Sequence, residues 1–189
     1  GSGLEKIVAE STFGAQAGDA IGDLGVLYEM EQALERQEIP FTIQRGAYYY
    51  SNWGFSLETA QKEGKVFSYF PEDFKLPMVA PEDLGSYAAK LLMQPVNDTG
   101  LYHTTGPEDY SPNDVAAAFA KALGKPVEAV RIQESQWEDS MKKIGFSDAA
   151  AKSMANMTRL TIEQKNEFPK NSVRGIITLE QYIKDLVGK

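Results

Sequence analysis

Two hydroxyls close the first apolar run of the chain. Leu4 to Ser11 reads LEKIVAES, a buried strand, and Ser11 and Thr12 stand at its carboxyl end. Ligands of parallel α/β sheets bind at that end of the strands, so the pair is placed to orient a substrate. The same hydroxyls also suit a strand end closed by bonds to neighbouring backbone, and both readings stay open. Phe13 follows as a pocket wall or a core ring. A second strand, Phe41 to Arg45, ends at Gly46, where a missing Cβ lets a ligand approach the backbone, and Ala47 continues that turn. The Arg45 side chain reads as the partner of Glu10 or Glu29 in a structural bridge. An aromatic knot comes next, with Tyr48, Tyr49, Tyr50, Asn52 and Trp53. Rings with polar tips suit a flat acceptor in a cleft, although aromatics in succession also build core and rim.

The other reactive side chains carry less. Tyr28 is the one tyrosine on the helix after Ser11 and Thr12, a conceivable proton donor. It falls at helical spacing with Leu24, Leu27, Glu31 and Leu34, which favours the core. His103 is the only histidine and has no nucleophile or metal partner in reach by sequence. The acidic doublets Glu72-Asp73, Glu82-Asp83 and Glu108-Asp109 each adjoin a proline at a turn or helix start, where helix-end electrostatics explains them better than metal or glycosidase chemistry. No metal site is expected. Met141, Met154 and Met157 line a lid or fill core.

Composition narrows the class. A net charge of −8 with no basic cluster argues against direct nucleic-acid binding, which needs clustered Lys and Arg. The absence of cysteine excludes disulfides, thiolate nucleophiles and zinc-thiolate sites, and suits a reducing compartment; a cytoplasmic location is the expectation. No apolar run approaches a membrane span. With 189 residues the chain can bury a full core. Gly1-Ser2-Gly3 is a cloning scar or the turn before the strand.

The elements that position these groups alternate. The first strand leads through a small-residue loop, Phe13 to Gly22, into a helix from about Asp23 to Gln37 and then the second strand, an α/β unit of the parallel kind. The pattern predicts a helix over Leu57–Glu63 stopped by Gly64, a strand over Lys65–Tyr69, a short extended piece at Pro77–Val79 and a helix over Asp83–Met93. It continues with a strand over Gly100–Thr104, a helix over Pro112–Leu123 capped by Ser111, and a strand over Val127–Ile132. Ser135 starts a helix to Lys143, Ser147 or Asp148 starts one to about Asn166, and Thr178 caps a last helix to Val187. Gly14 to Gly18 follows a strand, but its spacing is not G-x-G-x-x-G and it opens into no helix directly.

Five stretches carry a resemblance: IVAESTFGAQ (Ile7 to Gln16), YEMEQALE (Tyr28 to Glu35), IPFTIQRGAYYYSNW (Ile39 to Trp53), LPMVAPEDLGSYAAKLL (Leu76 to Leu92) and TGPEDYSPNDVAAAFAKALGKPV (Thr105 to Val127). In order and over nearly the whole chain they resemble the NmrA-like family, atypical short-chain dehydrogenase/reductase proteins that bind NAD(P). The resemblance implies that the chain begins at the family's fifth strand, with the glycine-rich turn outside this sequence. It implies cofactor contacts at Ser11, Thr12, Phe13, Arg45, Gly46 and Ala47, and substrate contacts at Tyr48, Tyr49, Asn52 and Trp53. The family's Tyr-x-x-x-Lys pair would fall at Gly22 and Val26, so its usual proton donor is missing. Tyr28 lies about six residues out of register, close to half a turn wrong on a helix.

The expected fold is α/β, the carboxyl part of a Rossmann-like parallel sheet with a smaller, mostly helical substrate unit. Residues 1–47 form the partial Rossmann unit, with 76–106 and 173–189 packing back on it. Residues 48–75 and 107–172 form the smaller unit. Three functions remain: an NAD(P)H-dependent oxidoreductase acting on a quinone or related acceptor, a regulator that senses NADP(H) and binds a protein partner without turnover, and a fragment with no small-molecule activity. The chain alone is expected to bind NADP or NAD weakly or not at all, and to self-associate or require a polypeptide carrying the missing strands.

Overall fold

The computed structural model describes residues 3–163, 169 and 171–188. Its main sheet holds β1 (Ile7–Thr12), β2 (Phe41–Gly46), β6 (Gly100–Thr105) and β9 (Val173–Arg174) in the order β1-β2-β6-β9, all parallel. Ile7 pairs with Phe41 through Thr12 with Gly46, so the two predicted strands are neighbours, as expected of an α/β unit. The helix α1 (Asp23–Glu35) makes the crossover between them. It ends about two residues earlier than the periodicity suggests, because the Arg36 and Gln37 N–H groups fall into turn bonds to Ala33 and Leu34.

Strand side chains alternate, and the register therefore sorts the sheet into two faces. One carries Ala9, Ser11, Ile43, Arg45, Leu101 and His103; the other carries Glu10, Thr12, Gln44, Gly46, Tyr102 and Thr104. α1 covers the first face, where its Glu31 meets Ser11 and Arg45. The second lies under α3 (Pro81–Met93), whose Leu84 carbonyl accepts from Gln44 and whose Tyr87 packs edge-on to Tyr102. Pro81 begins α3 two residues before the predicted start, its missing N–H costing nothing at that position.

The remaining elements build on the carboxyl side of the sheet. β3 (Tyr48–Tyr49), β5 (Leu76–Val79) and β7 (Asp109–Tyr110) form a small sheet, and β4 (Lys65–Ser68) pairs with β8 (Glu128–Arg131). A 3₁₀ turn over Tyr50–Ser56 leads into α2 (Leu57–Glu63), and α4 (Pro112–Leu123) starts on a full capping box between Ser111 and Asp114. Both helices end on left-handed glycines, Gly64 and Gly124. α5 (Trp137–Lys143) does not start on Ser135, since Glu134–Gln136 form a separate 3₁₀ turn. α6 is described over Asp148–Glu163, and the predicted end near Asn166 lies outside the described residues.

One buried cluster joins the two units read from the sequence. Tyr50, Trp53, Val66 and Phe119 share it with Leu76, Met78 and Ala80 and with Leu179 and Ile183 of α7 (Leu179–Val187). The segment 173–189 thus divides: β9 returns to the main sheet, while α7 packs along α4. Trp137, Met141, Ala151 and Ala155 form a second cluster between α5 and α6. No helix among the described residues is long and apolar enough to cross a membrane.

Candidate functional site

Ser11 and Thr12 are adjacent, so the period of two sends them to opposite faces. Ser11 is buried and its hydroxyl donates to Glu31 Oε1. Arg45, across β2 in the same register, donates from Nε to Glu31 Oε1 at 2.8 Å and from a terminal nitrogen to Oε2 at 2.6 Å. Ser11 and two nitrogens of Arg45 thus bond a buried carboxylate, a structural role for these side chains. The bridge partner is corrected, from Glu10 or Glu29 to Glu31. Burial alone would raise the Glu31 pKa, but the bonds from Arg45 and Ser11 and the guanidinium charge outweigh it and hold the carboxyl below its ordinary range. Glu31 was legible: an acid on the apolar stripe of α1 needs a cation beneath it.

The opposite face offers free chemistry at the strand ends. Thr12 is half-buried, and its hydroxyl donates to the Phe13 carbonyl at 3.3 Å. Phe13 and Tyr49, both half-buried, flank the buried Ala47. The Phe13 N–H donates to the Gly46 carbonyl and the Ala47 N–H to Thr104, which fixes the turn. A Cβ at Gly46 would stand 3.0 Å from the Tyr49 ring and 3.1 Å from Leu84, so close side-chain packing favours the glycine here. Glu10 lies two residues before Thr12 on this same face. Burial raises its pKa to about 7, and the Glu10 and Asp23 charges add to the burial that raises Tyr49. The sequence points to Glu10 only as a bridge partner of Arg45, and to Tyr49 only as a substrate contact.

The four predicted substrate residues separate. Trp53 is 3% exposed and its indole N–H points at the Met78 sulfur, 3.4 Å away, so it belongs to the core. Tyr48 turns the same way, packing at 5.8 Å on Trp53 and at 5.6 Å on Phe70. Burial, only partly offset by a hydrogen bond with Asn52, pushes the Tyr48 phenol up to about 12. Asn52 is exposed beside it. Of the four, Tyr49 is the one packed against Ala47.

Tyr28 lies on the other side of the sheet, in a groove with Glu31, Phe41, Ile43 and Leu101, and is not a donor to the Thr12 cleft. The position of the family's tyrosine, Gly22, is closed by α6: its N–H donates to Ser153, and a Cβ would meet the Met157 sulfur at 3.1 Å. Val26 is exposed. Met157 thus stands over α1, while Met141 lies in the α5–α6 cluster with Met154 packed against it. His103 sits beside Arg45 in register and edge-on to Phe13 at 5.2 Å. Burial and the Arg45 charge lower its pKa, with Glu31 opposing. Of the doublets, Asp83 holds the Ile176 and Ile177 N–H groups and Asp73 accepts from Asn113.

These strand ends present the Thr12 hydroxyl, the Tyr49 phenol, the Phe13 ring and Ala47, with the buried Gln44 amide oxygen nearby, which has no donor among the described residues. The described residues offer no pyrophosphate cradle. α1 opens on an acid, Asp23, and the N–H of Gly22 just before it donates to Ser153 Oγ.

Comparison with known proteins agrees with this architecture. The model of the NmrA-like family matches residues 27–185. NAD(P)H azoreductase of Xenophilus azovorans is 23% identical over 159 residues, 84% of this chain and 55% of the relative. Quinone oxidoreductase 2 of Escherichia coli is 25% identical over 128 residues, 68% and 44% of the two chains. The chain thus spans about half the length of these relatives. Among solved structures, an NADPH-dependent quinone oxidoreductase from Escherichia coli complexed with NADPH superposes with a TM-score of 0.72 at 20% identity, covering 97% of this chain and 66% of that one. NmrA, a negative transcriptional regulator in complex with NAD, gives 0.74 at 17% identity, with 98% and 65% covered.

Proposed function

The chain belongs to the NmrA-like family, and on that footing we propose that it supplies the nicotinamide and acceptor side of an NAD(P)H-dependent oxidoreductase acting on a quinone or a related flat acceptor. The observation that carries the reading is the packing of Phe13 and Tyr49 on Ala47 at the carboxyl ends of two parallel strands, where Thr12 stands across from Gly46. A bound reduced dinucleotide supplies two electrons and a hydrogen from one carbon. The residues of this chain do the positioning: the Thr12 hydroxyl orients the polar group of the acceptor, the Phe13 and Tyr49 rings exclude water, and the fixed Gly46–Ala47 turn sets the floor. The quinone and azo substrates named for the relatives support an acceptor of this shape.

The 189-residue chain by itself is proposed to bind NADPH weakly or not at all, since phosphate binding needs backbone donors at a helix start. It is proposed to self-associate, or to take a strand from another polypeptide along β1, which has a partner on one side only among the described residues. Calorimetric titration with light scattering tests both. A monodisperse monomer with micromolar NADPH affinity contradicts them.

Gly22 under Met157, in place of the family's tyrosine, favours a second reading: a regulator that binds the dinucleotide without turnover. Oxidation of NADPH by menadione in the intact protein separates the two. Turnover supports the oxidoreductase. Tight NADPH binding without turnover supports the regulator.

A further inference from the structure

The main sheet has a second open edge, on the side away from β1. β9 pairs with β6 only at Thr104 and Thr105, so among the described residues the amino half of β6, Gly100 to His103, has β2 on one side and no strand on the other. Backbone groups alternate along this edge. The Thr104 carbonyl accepts from Ala47 on the β2 side and the Thr105 carbonyl from Gly175 on the β9 side, so the period of two turns the Leu101 N–H and C=O outward. Unpaired groups in such a row are a template for another chain.

A groove opens beside the same residues. Parallel sheets are normally covered on both faces, but α1 packs chiefly on β1, two strands away, and the Leu101 side chain on the α1 face is 50% exposed. Phe41, Ile43 and Leu101 line an apolar floor there, with Tyr28, Glu35 and Glu38 at its walls, around a volume of about 600 Å³. That is room for several side chains, far more than one water or ion needs. The charge of the groove is one-sided. Its cation, Arg45, is bonded through two nitrogens to Glu31, whereas Glu35 and Glu38 are exposed and no cation pairs with either among the described residues.

We propose that this edge and groove dock an extended, basic segment of a protein partner, which joins the sheet beside β6 as a further strand. The Leu101 backbone supplies the pairing, the apolar floor takes alternate side chains of the segment, and Glu35 and Glu38 receive its Lys or Arg heads. A second copy of this chain is the poorer occupant, since a net charge of −8 on each molecule sets like charge against an acidic rim. The surface lies on the opposite face of the sheet from Thr12 and on the opposite edge from β1, so it is independent of the dinucleotide readings.

The test titrates the ¹⁵N-labelled intact protein with a capped hexapeptide of alternating Lys and Val, beside one counterpart with Glu for Lys and another with Pro at a central Val. The expected result is amide shifts in segments 35–43 and 99–103 with the first peptide and none with either counterpart. The double variant Glu35→Lys, Glu38→Lys, its other resonances unchanged, is expected to bind the first peptide about 5- to 10-fold more weakly. Shifts confined to β1, equal binding of either counterpart, undiminished affinity in the double variant, or no binding at millimolar peptide overturns the proposal. Light scattering covers the other occupant: a dimer that Leu101→Lys disperses assigns the face to a second copy and overturns it as well. None of these outcomes touches the readings of the Thr12 side.

Discussion

Glu31 and Arg45 form a two-point ion pair across the interface of α1 and β2, 2.8 Å from Nε to Oε1 and 2.6 Å on the second arm. Both side chains are largely buried, at 5% and 18% exposure, and Ser11 adds a third bond from β1. One carboxylate therefore fixes a helix to two strand ends. Glu31→Ala is expected to cost about 3–5 kcal/mol, since it strands the guanidinium against the sheet. Urea unfolding measures it, and a loss under about 1 kcal/mol contradicts a structural role.

The same pair sets an acid dependence. A carboxyl held below its usual 4.5 stabilises the fold above that value, and the contribution is lost as pH falls below it. Glu31→Gln is expected to flatten the stability profile on the acid side and to leave its shape near neutrality unchanged. A profile of unchanged acid slope contradicts the assignment.

His103 reports on both charges. Burial and Arg45 lower it while Glu31 raises it, so its ring is expected to titrate below 6.5. Glu31→Gln lowers it further and Arg45→Met raises it, as read by proton NMR. Shifts of the reverse sign contradict the placement of His103 beside the pair.

Trp53 and Tyr49, four residues apart, are expected to fail in different ways. Trp53→Ala empties a core site and costs about 3–5 kcal/mol of stability. Tyr49→Ala leaves that core intact and raises the menadione KM or lowers turnover, with NADPH affinity retained. Equal loss of NADPH binding and turnover in Tyr49→Ala contradicts its place on the acceptor side.

Much of the architecture lies in sequence patterns that local physics reads directly. The β1, α1, β2 order follows from a switch of apolar period, and the capping box at Ser111 from a hydroxyl, proline and acid in a row. Side-chain partners are harder, because they depend on residues far along the chain. The alternation of β1 already separates Ser11 from Thr12, but only Glu31, twenty residues on, decides which of them is consumed. At Gly46 the close packing of Tyr49 and Leu84 likewise depends on residues beyond the strand itself. Trp53 leaves the cleft because the 3₁₀ turn after β3 rotates it toward Met78, a rotation no local pattern encodes.

The central claim is that dinucleotide and acceptor meet on the Thr12 and Tyr49 side of the strand ends, and not in the groove beside α1. Hydrogen exchange of the intact protein with and without NADPH tests it most directly. The account predicts slowed exchange in segments 10–14 and 45–49, with 28–41 and 97–101 unchanged. Protection confined to the 28–41 and 97–101 groove would contradict it.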